Sequence, residues 1–154
     1  MIFTDIAKTA RSMEVQGYQF YINLAAAVEE EKTKTLAMRL AEEEKEHIKV
    51  FDKIISAYSG HETFDQGTSD YMASIGMGGI FPDPDQIKKM AVEIQSLRDV
   101  LAIGIQAEKD AILLYHELLE RTGSEQSRKM IYKILEEEKM HLVELRNLSE
   151  EKEI

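Results

Sequence analysis

Residues 36–58 read LAMRLAEEEKEHIKVFDKIISAY, and residues 130–148 read MIYKILEEEKMHLVELRNL. Each stretch sets a Glu three places before a His: Glu44 with His47, then Glu138 with His141, 94 residues later. The same offset holds upstream, where Glu14 and Tyr21 match Glu108 and Tyr115. In both halves Glu to Tyr is 7, Glu to Glu 30 and Glu to His 3, and residues 13–54 superpose on 107–148 without a gap. Few other positions agree, so the repeat is mostly one of chemistry.

Around these residues the apolar positions recur at helical spacing. Ala7, Ala10, Glu14, Gly17, Tyr21, Leu24 and Val28 form one stripe, and Leu36, Leu40, Glu44, His47, Phe51, Ile54 and Tyr58 a second. A third runs through Ile87, Met90, Ile94, Leu97, Leu101, Gly104, Glu108, Ala111, Tyr115 and Leu118. Met130, Ile134, Glu138, His141, Leu145 and Leu148 make the fourth. Steps of three and four place each set on one face of a helix, and four such faces are buried together in a bundle. The expected fold is therefore all-α, a four-helix bundle of two antiparallel helix hairpins joined by a long crossover. The helices are expected over residues 3–29, 33–59, 84–122 and 124–149, with the crossover at 60–83, all in one domain spanning 1–154.

The punctuation fits these limits. Thr122-Gly123-Ser124 reads as a helix stop, a left-handed Gly and a new N-cap. Asp83 before Pro84 reads as an N-cap followed by a first helical residue. A loop as long as 60–83 needs a reason inside a small domain. A crossover running the length of the bundle supplies one and makes the second and third helices parallel. Tyr71, Met72, Ile75, Met77, Ile80 and Phe81 are the side chains expected to pin it, through a short helix.

Composition narrows the function. Acids outnumber bases by 29 to 19, a formal charge of −10, which disfavours nucleic acid and anionic membranes as partners. No apolar run approaches the roughly 20 residues that span a bilayer. Residues 1–10 alternate polar and apolar types rather than forming a secretory signal, so a cytoplasmic location is expected. The chain has no Cys, which excludes a thiol nucleophile or a thiolate-bound metal within it.

Glu14, Glu44, Glu108, Glu138, His47 and His141 occupy stripe positions otherwise held by Ala, Leu, Ile, Met and Phe. Burying one unpaired carboxylate costs several kcal/mol, and four together also repel one another. No Lys or Arg stands on the stripes to compensate, which weighs against a bundle held by buried ion pairs; two divalent metal ions would supply the charge. The midpoint of 14 and 47 is 30.5 and that of 108 and 141 is 124.5, each inside an expected turn, so each outer Glu meets its Glu-x-x-His at one level. The small residues Ala10, Gly17, Gly104 and Ala111 flank the outer glutamates and are expected to leave room for ions and a small ligand. His61 and His116 read as solvated. The acidic runs 29–31, 42–44 and 136–138 read as solvated faces in which only Glu44 and Glu138 turn inward.

The order Glu, Glu-x-x-His, Glu, Glu-x-x-His on four helices, with a long second connection, resembles the ferritin-like di-iron carboxylate superfamily. Through Glu14-x-x-Gly17-x-x-x-Tyr21 and Glu108-x-x-Ala111-x-x-x-Tyr115 it is most similar to the rubrerythrin-like branch. The resemblance implies two iron ions, with manganese or a mixed pair as alternatives. It implies that Glu14 and Glu108 are terminal ligands, that Glu44 and Glu138 bridge, and that His47 and His141 bind one ion each. Tyr21 and Tyr115 would hydrogen-bond ligand carboxylates.

Departures from related families narrow the reading. Bacterioferritins place a haem-binding Met just after a bridging Glu, where Lys45 and Lys139 stand here. Only 13 residues follow His141, too few for the extra helix of a ferritin cage, so a storage shell is not expected. Full-length rubrerythrins add a Cys-rich rubredoxin domain and a third-helix carboxylate one turn from the ligand Glu. This chain has Gly104, Ile105, Ala111 and Ile112 at those flanking positions. The resemblance thus implies an oxidoreductase that reduces hydrogen peroxide with electrons from an external electron-transfer protein. The alternatives are a ferroxidase that oxidises Fe(II) with dioxygen and passes iron on, a manganese catalase-like site, and a purely structural bundle. Helical hairpins of this type also pair or swap between chains, so a homodimer is expected.

Overall fold

The structure is a computed structural model that describes residues 3–58, 60, 63–75 and 97–151. Among these, the chain is helical with no strand: α1 Phe3–Ala27, α2 Glu31–Ala57, α3 Gln66–Ser74, α4 Leu97–Arg121 and α5 Glu125–Glu151. The expected hairpin helices are present, with ends shifted by about two residues, the usual play of frayed termini. The expected helix start at Asp83-Pro84 and stripe residues Ile87, Met90 and Ile94 lie outside the described residues, as do Met77, Ile80, Phe81 and His61. No helix among the described residues is long and apolar enough to cross a membrane.

Polar cross-links fix the arrangement of the four long helices. Along α2 and α5 the partners run Lys32–Glu151, Arg39–Glu144, His141–Glu43 and His47–Glu137, one number rising as the other falls. Those helices are antiparallel. Tyr21–Glu108 and Tyr115–Glu14 show the same for α1 and α4. Since α1 and α2 form a hairpin, α2 and α4 are parallel, the relation the crossover requires.

Two apolar clusters fill the bundle at either end of a polar layer. One joins Phe3, Ile6, Met13, Phe51, Ile54, Leu114, Leu118, Ile131 and Ile134; the other joins Phe20, Leu24, Leu40, Leu101, Leu145 and Leu148. On every long helix the repeated Glu and His fall between the residues of these clusters. The buried faces are wider than the stripes, adding Met13, Phe20, Leu114, Ile131 and Leu135. Each helix packs against two neighbours, so a residue beside its stripe is covered as well.

Helix α3 carries the crossover onto the bundle. Asp65 caps it by accepting from the Thr68 amide at 2.7 Å. Met72 and Ile75 are buried as expected, whereas Tyr71 points outward. Arg121 secures the segment from α4, with its guanidinium 5.9 Å from the Phe64 ring centroid and a hydrogen bond to Thr68. The α4–α5 turn departs from expectation, since Gly123 does not take the left-handed backbone that terminates many helices. The orphan carbonyls of α4 are met by side chains instead. The Thr122 hydroxyl donates to Leu118 O and the Arg128 guanidinium to Leu119 O. Ser124 caps α5 as the sequence suggested, accepting from the Ser127 amide.

Candidate metal centre

All six carboxylate and imidazole candidates are buried, none more than 2% exposed. They assemble into two groups, Glu14, Glu44, His47 and Glu138, and Glu44, Glu108, Glu138 and His141. Within each group the donor atoms lie within 4.8 Å of one another. Glu44 and Glu138 belong to both, so the groups interlock through two shared carboxylates. The His47 and His141 rings stack with centroids 5.9 Å apart, each turning Nδ1 toward the carboxylates.

The layer is crowded with negative charge that the side chains compensate only in part. Burial raises Glu14, Glu44 and Glu108, and neighbouring carboxylates, Glu138 foremost, raise them further. Burial pushes Glu138 the same way, but hydrogen bonds from Glu108, His141 and His47 outweigh it and hold this carboxyl well below its ordinary range. Burial alone would lower both histidines, yet the surrounding carboxylates raise them. Glu44 Oε1 is fully buried and has no hydrogen bond: it lies 3.0 Å from His141 Nδ1 without the alignment to accept from it. Four carboxylates and two imidazoles in one buried layer form a hard-oxygen and nitrogen donor set suited to two divalent ions. The residues fit a di-metal site.

Tyr21 and Tyr115 do hydrogen-bond Glu108 and Glu14, but crosswise. Tyr21 on α1 donates to Glu108 Oε1 on α4 at 2.5 Å, and Tyr115 on α4 donates to Glu14 Oε1 on α1 at 2.5 Å. Burial, then the adjacent carboxylate, pushes each phenol well above its usual range, so both remain donors. Each bond ties one hairpin to the other. Tyr21→Phe and Tyr115→Phe are each expected to lower the stability of the zinc-loaded protein by about 1–3 kcal/mol, the cost of orphaning a buried acceptor. Urea unfolding checks this; an unchanged midpoint would mean the hydroxyls do no more than pack.

The sequence reading missed two residues. Glu43 and Glu137, expected on solvated faces, reach back over the layer: His141 Nε2–H donates to Glu43 Oε2 and His47 Nε2–H to Glu137 Oε2, both at 2.6 Å. The imidazole bond, more than any other influence, lowers each of these carboxyls. The signal was present, because 43 and 137 obey the same 94-residue offset. Their position one residue off the buried stripe concealed it. The space expected beside Gly104 is also taken, since a Cβ there would meet Phe20 at 3.1 Å and Leu145 at 3.5 Å. His116 is exposed and takes no part in the layer.

A family model, Rubrerythrin, matches residues 5–149. Among solved structures, the chain is similar to a Thermotoga maritima protein assigned as ferritin-like and diiron-carboxylate, with 27% identity and a TM-score of 0.77 over 98% of this chain and 96% of that one. It shares its fold with a hypothetical protein from Pyrococcus furiosus, at 22% identity and a TM-score of 0.70 over 96% of this chain and 88% of that one. No curated protein sequence matches the chain significantly. Match, fold and donor layer agree: this chain belongs to the rubrerythrin family.

Proposed function

We propose that the chain is a di-iron oxidoreductase that reduces hydrogen peroxide to water with electrons from a separate carrier protein. The observation that carries the reading is the pair of four-residue groups interlocked through Glu44 and Glu138. Peroxide takes up two electrons and two protons to give two waters. A bound diferrous pair would supply both electrons from adjacent ions.

The protein's own part is placement and charge. Glu14, Glu44, Glu108 and Glu138 offer four negative charges, enough to balance two divalent ions, while His47 and His141 add neutral nitrogen donors. Glu44 and Glu138 hold the two positions together, and Glu14 and Glu108 close the outer sides under the Tyr115 and Tyr21 hydroxyls. The apolar clusters at either end keep bulk water from the layer, which strengthens every interaction within it. On α4, Gly104 packs against Phe20, so no carboxylate stands there to draw a metal away from Glu108. With no Cys among these 154 residues, a thiolate-bound iron donor for re-reduction would come from outside them.

One feature favours a second reading, a ferroxidase that handles iron. A groove of about 680 Å³ between α2 and α5 reaches His47, lined by Glu42, Glu43, Glu46 and Glu137 and equally by Arg39, Lys49, Lys53 and Lys133, a polar way in for a small ion. Stopped-flow oxidation of the diferrous protein separates the two. Peroxide is expected to react at least about tenfold faster than dioxygen, a barrier difference of about 1.4 kcal/mol, with the iron content unchanged. Faster reaction with dioxygen, together with many irons retained per chain, would sink the peroxidase reading and support iron handling.

A further inference from the structure

We propose that the outer face of the α4–α5 hairpin is a contact surface for a second copy of this chain, with α5 packed antiparallel on its counterpart. The inference is independent of what the buried layer binds. Among the described residues six large apolar side chains are exposed, and four of them, Leu113, Tyr132, Met140 and Val143, stand on this one hairpin. The 94-residue offset supplies an internal comparison. At the equivalent positions the α1–α2 hairpin carries Gln19, Met38, Glu46 and Lys49, so three of the four are polar there. Folding asks the same of both hairpins, and an apolar excess on the outside of one of them calls for a partner.

Charge identifies the occupant. Tyr132, Glu136, Lys139 and Val143 follow 4-3-4 spacing along the solvent side of α5, and Glu125, Lys129, Arg146 and Glu150 continue the same ridge at either end. The ridge holds three acids and three bases in a chain whose formal charge is −10, so two copies meet there without the repulsion their other surfaces exert. Its order is also self-complementary. If Tyr132 lies opposite Val143 of the second copy, a two-fold axis makes that contact twice. Glu136 then falls opposite Lys139 of the second copy, again twice. Within one chain Lys139 Nζ already donates to Glu136 Oε1 at 2.9 Å, so the four charges close into one network that fixes the register. Lys129 meets Arg146 of the second copy, and Glu125 and Glu150 stand one turn away to offset them; Arg146 already pairs with Glu150 at 3.0 Å. Leu113, level with Glu136 about the hairpin midpoint of 124.5, flanks this seam.

Cross-linking and sedimentation of the full chain test the face and its register. With no Cys in the sequence, an introduced thiol has no other thiol in its own chain to react with. Tyr132→Cys and Val143→Cys chains, mixed and oxidised, are expected to join, because the register brings these positions within the roughly 7 Å between Cα atoms that a disulfide needs. Either variant alone should not, since one position on two antiparallel copies lies about 16 Å from itself. Met38→Cys mixed with Val143→Cys should not join either. Sedimentation of the wild type across a dilution series should show a monomer–dimer equilibrium. Val143→Glu, which buries a charge, and Glu136→Lys, which opposes like charges, should each weaken it at least about tenfold. Adding Lys139→Glu to Glu136→Lys should restore it, and Met38→Glu should leave it unchanged. A wild type monomeric at every concentration would overturn the proposal. So would a dimer indifferent to Val143→Glu and Glu136→Lys, or one that Met38→Glu dissociates. Equal cross-linking of the 132–143 and 38–143 pairs would do the same, and that comparison does not depend on the charged variants folding.

Discussion

Glu44→Ala is expected to empty both metal positions at once. Glu44 is a member of both donor groups, so its loss leaves each position with one outer Glu, one His and the shared Glu138. It also removes a fully buried carboxylate oxygen that has no aligned hydrogen bond and only histidine nitrogens to offset its charge. Metal content after anaerobic loading and desalting should fall from about two per chain to well below one, because affinity depends steeply on ligand count. Glu138→Ala should behave alike. Glu14→Ala and Glu108→Ala each touch a single group and should retain about one ion. If Glu44→Ala kept two metals, or lost no more than Glu14→Ala, the shared-carboxylate arrangement would be wrong.

The second large effect concerns pH. In the metal-free fold Glu14, Glu44 and Glu108 are raised above the ordinary carboxylate value of 4.5, by burial first and carboxylate neighbours second. His47 and His141 are raised above 6.5. Groups with a raised folded pKa stabilise the fold fully below their unfolded pKa and lose that contribution as pH rises through the folded one. Metal-free protein should therefore lose stability from pH 5 to 8. Glu138 is lowered, so its contribution fades only below 4.5, outside this window. Metal requires deprotonated ligands, so loading releases protons and strengthens with pH, by about 1.4 kcal/mol per pH unit for each proton displaced. The melting temperatures of zinc-loaded and zinc-free protein should diverge as pH rises from 5 to 8. A gap that narrows over that range would contradict this picture of a protonated, strained layer.

The sequence was most informative where the physics is local. Helix-period stripes revealed the four long helices, and six polar residues on apolar stripes revealed the layer. Both follow from which side of a helix a residue occupies. What crosses between helices was harder to read. Tyr21 and Tyr115 were visible as neighbours of Glu14 and Glu108 on their own helices, but each bonds the glutamate of the other hairpin. Intervals within one helix carry no information on the register between α1 and α4. Glu43 and Glu137 escaped for a related reason: a half-exposed Glu usually faces water, and only the pairing of α2 with α5 sets each beside a histidine. The turn at Gly123 shows that a residue's permissiveness does not oblige the backbone to use it, because Thr122 and Arg128 had already satisfied the helix end.

If this layer holds two ions, Glu44 and Glu138 reach both of them. Anomalous scattering at the iron edge, from crystals grown anaerobically with Fe(II), tests it directly. Two peaks are expected in the polar layer, one beside Glu14 and His47, the other beside Glu108 and His141, with Glu44 and Glu138 touching both. A single peak, peaks elsewhere, or an ordered layer without iron would contradict it.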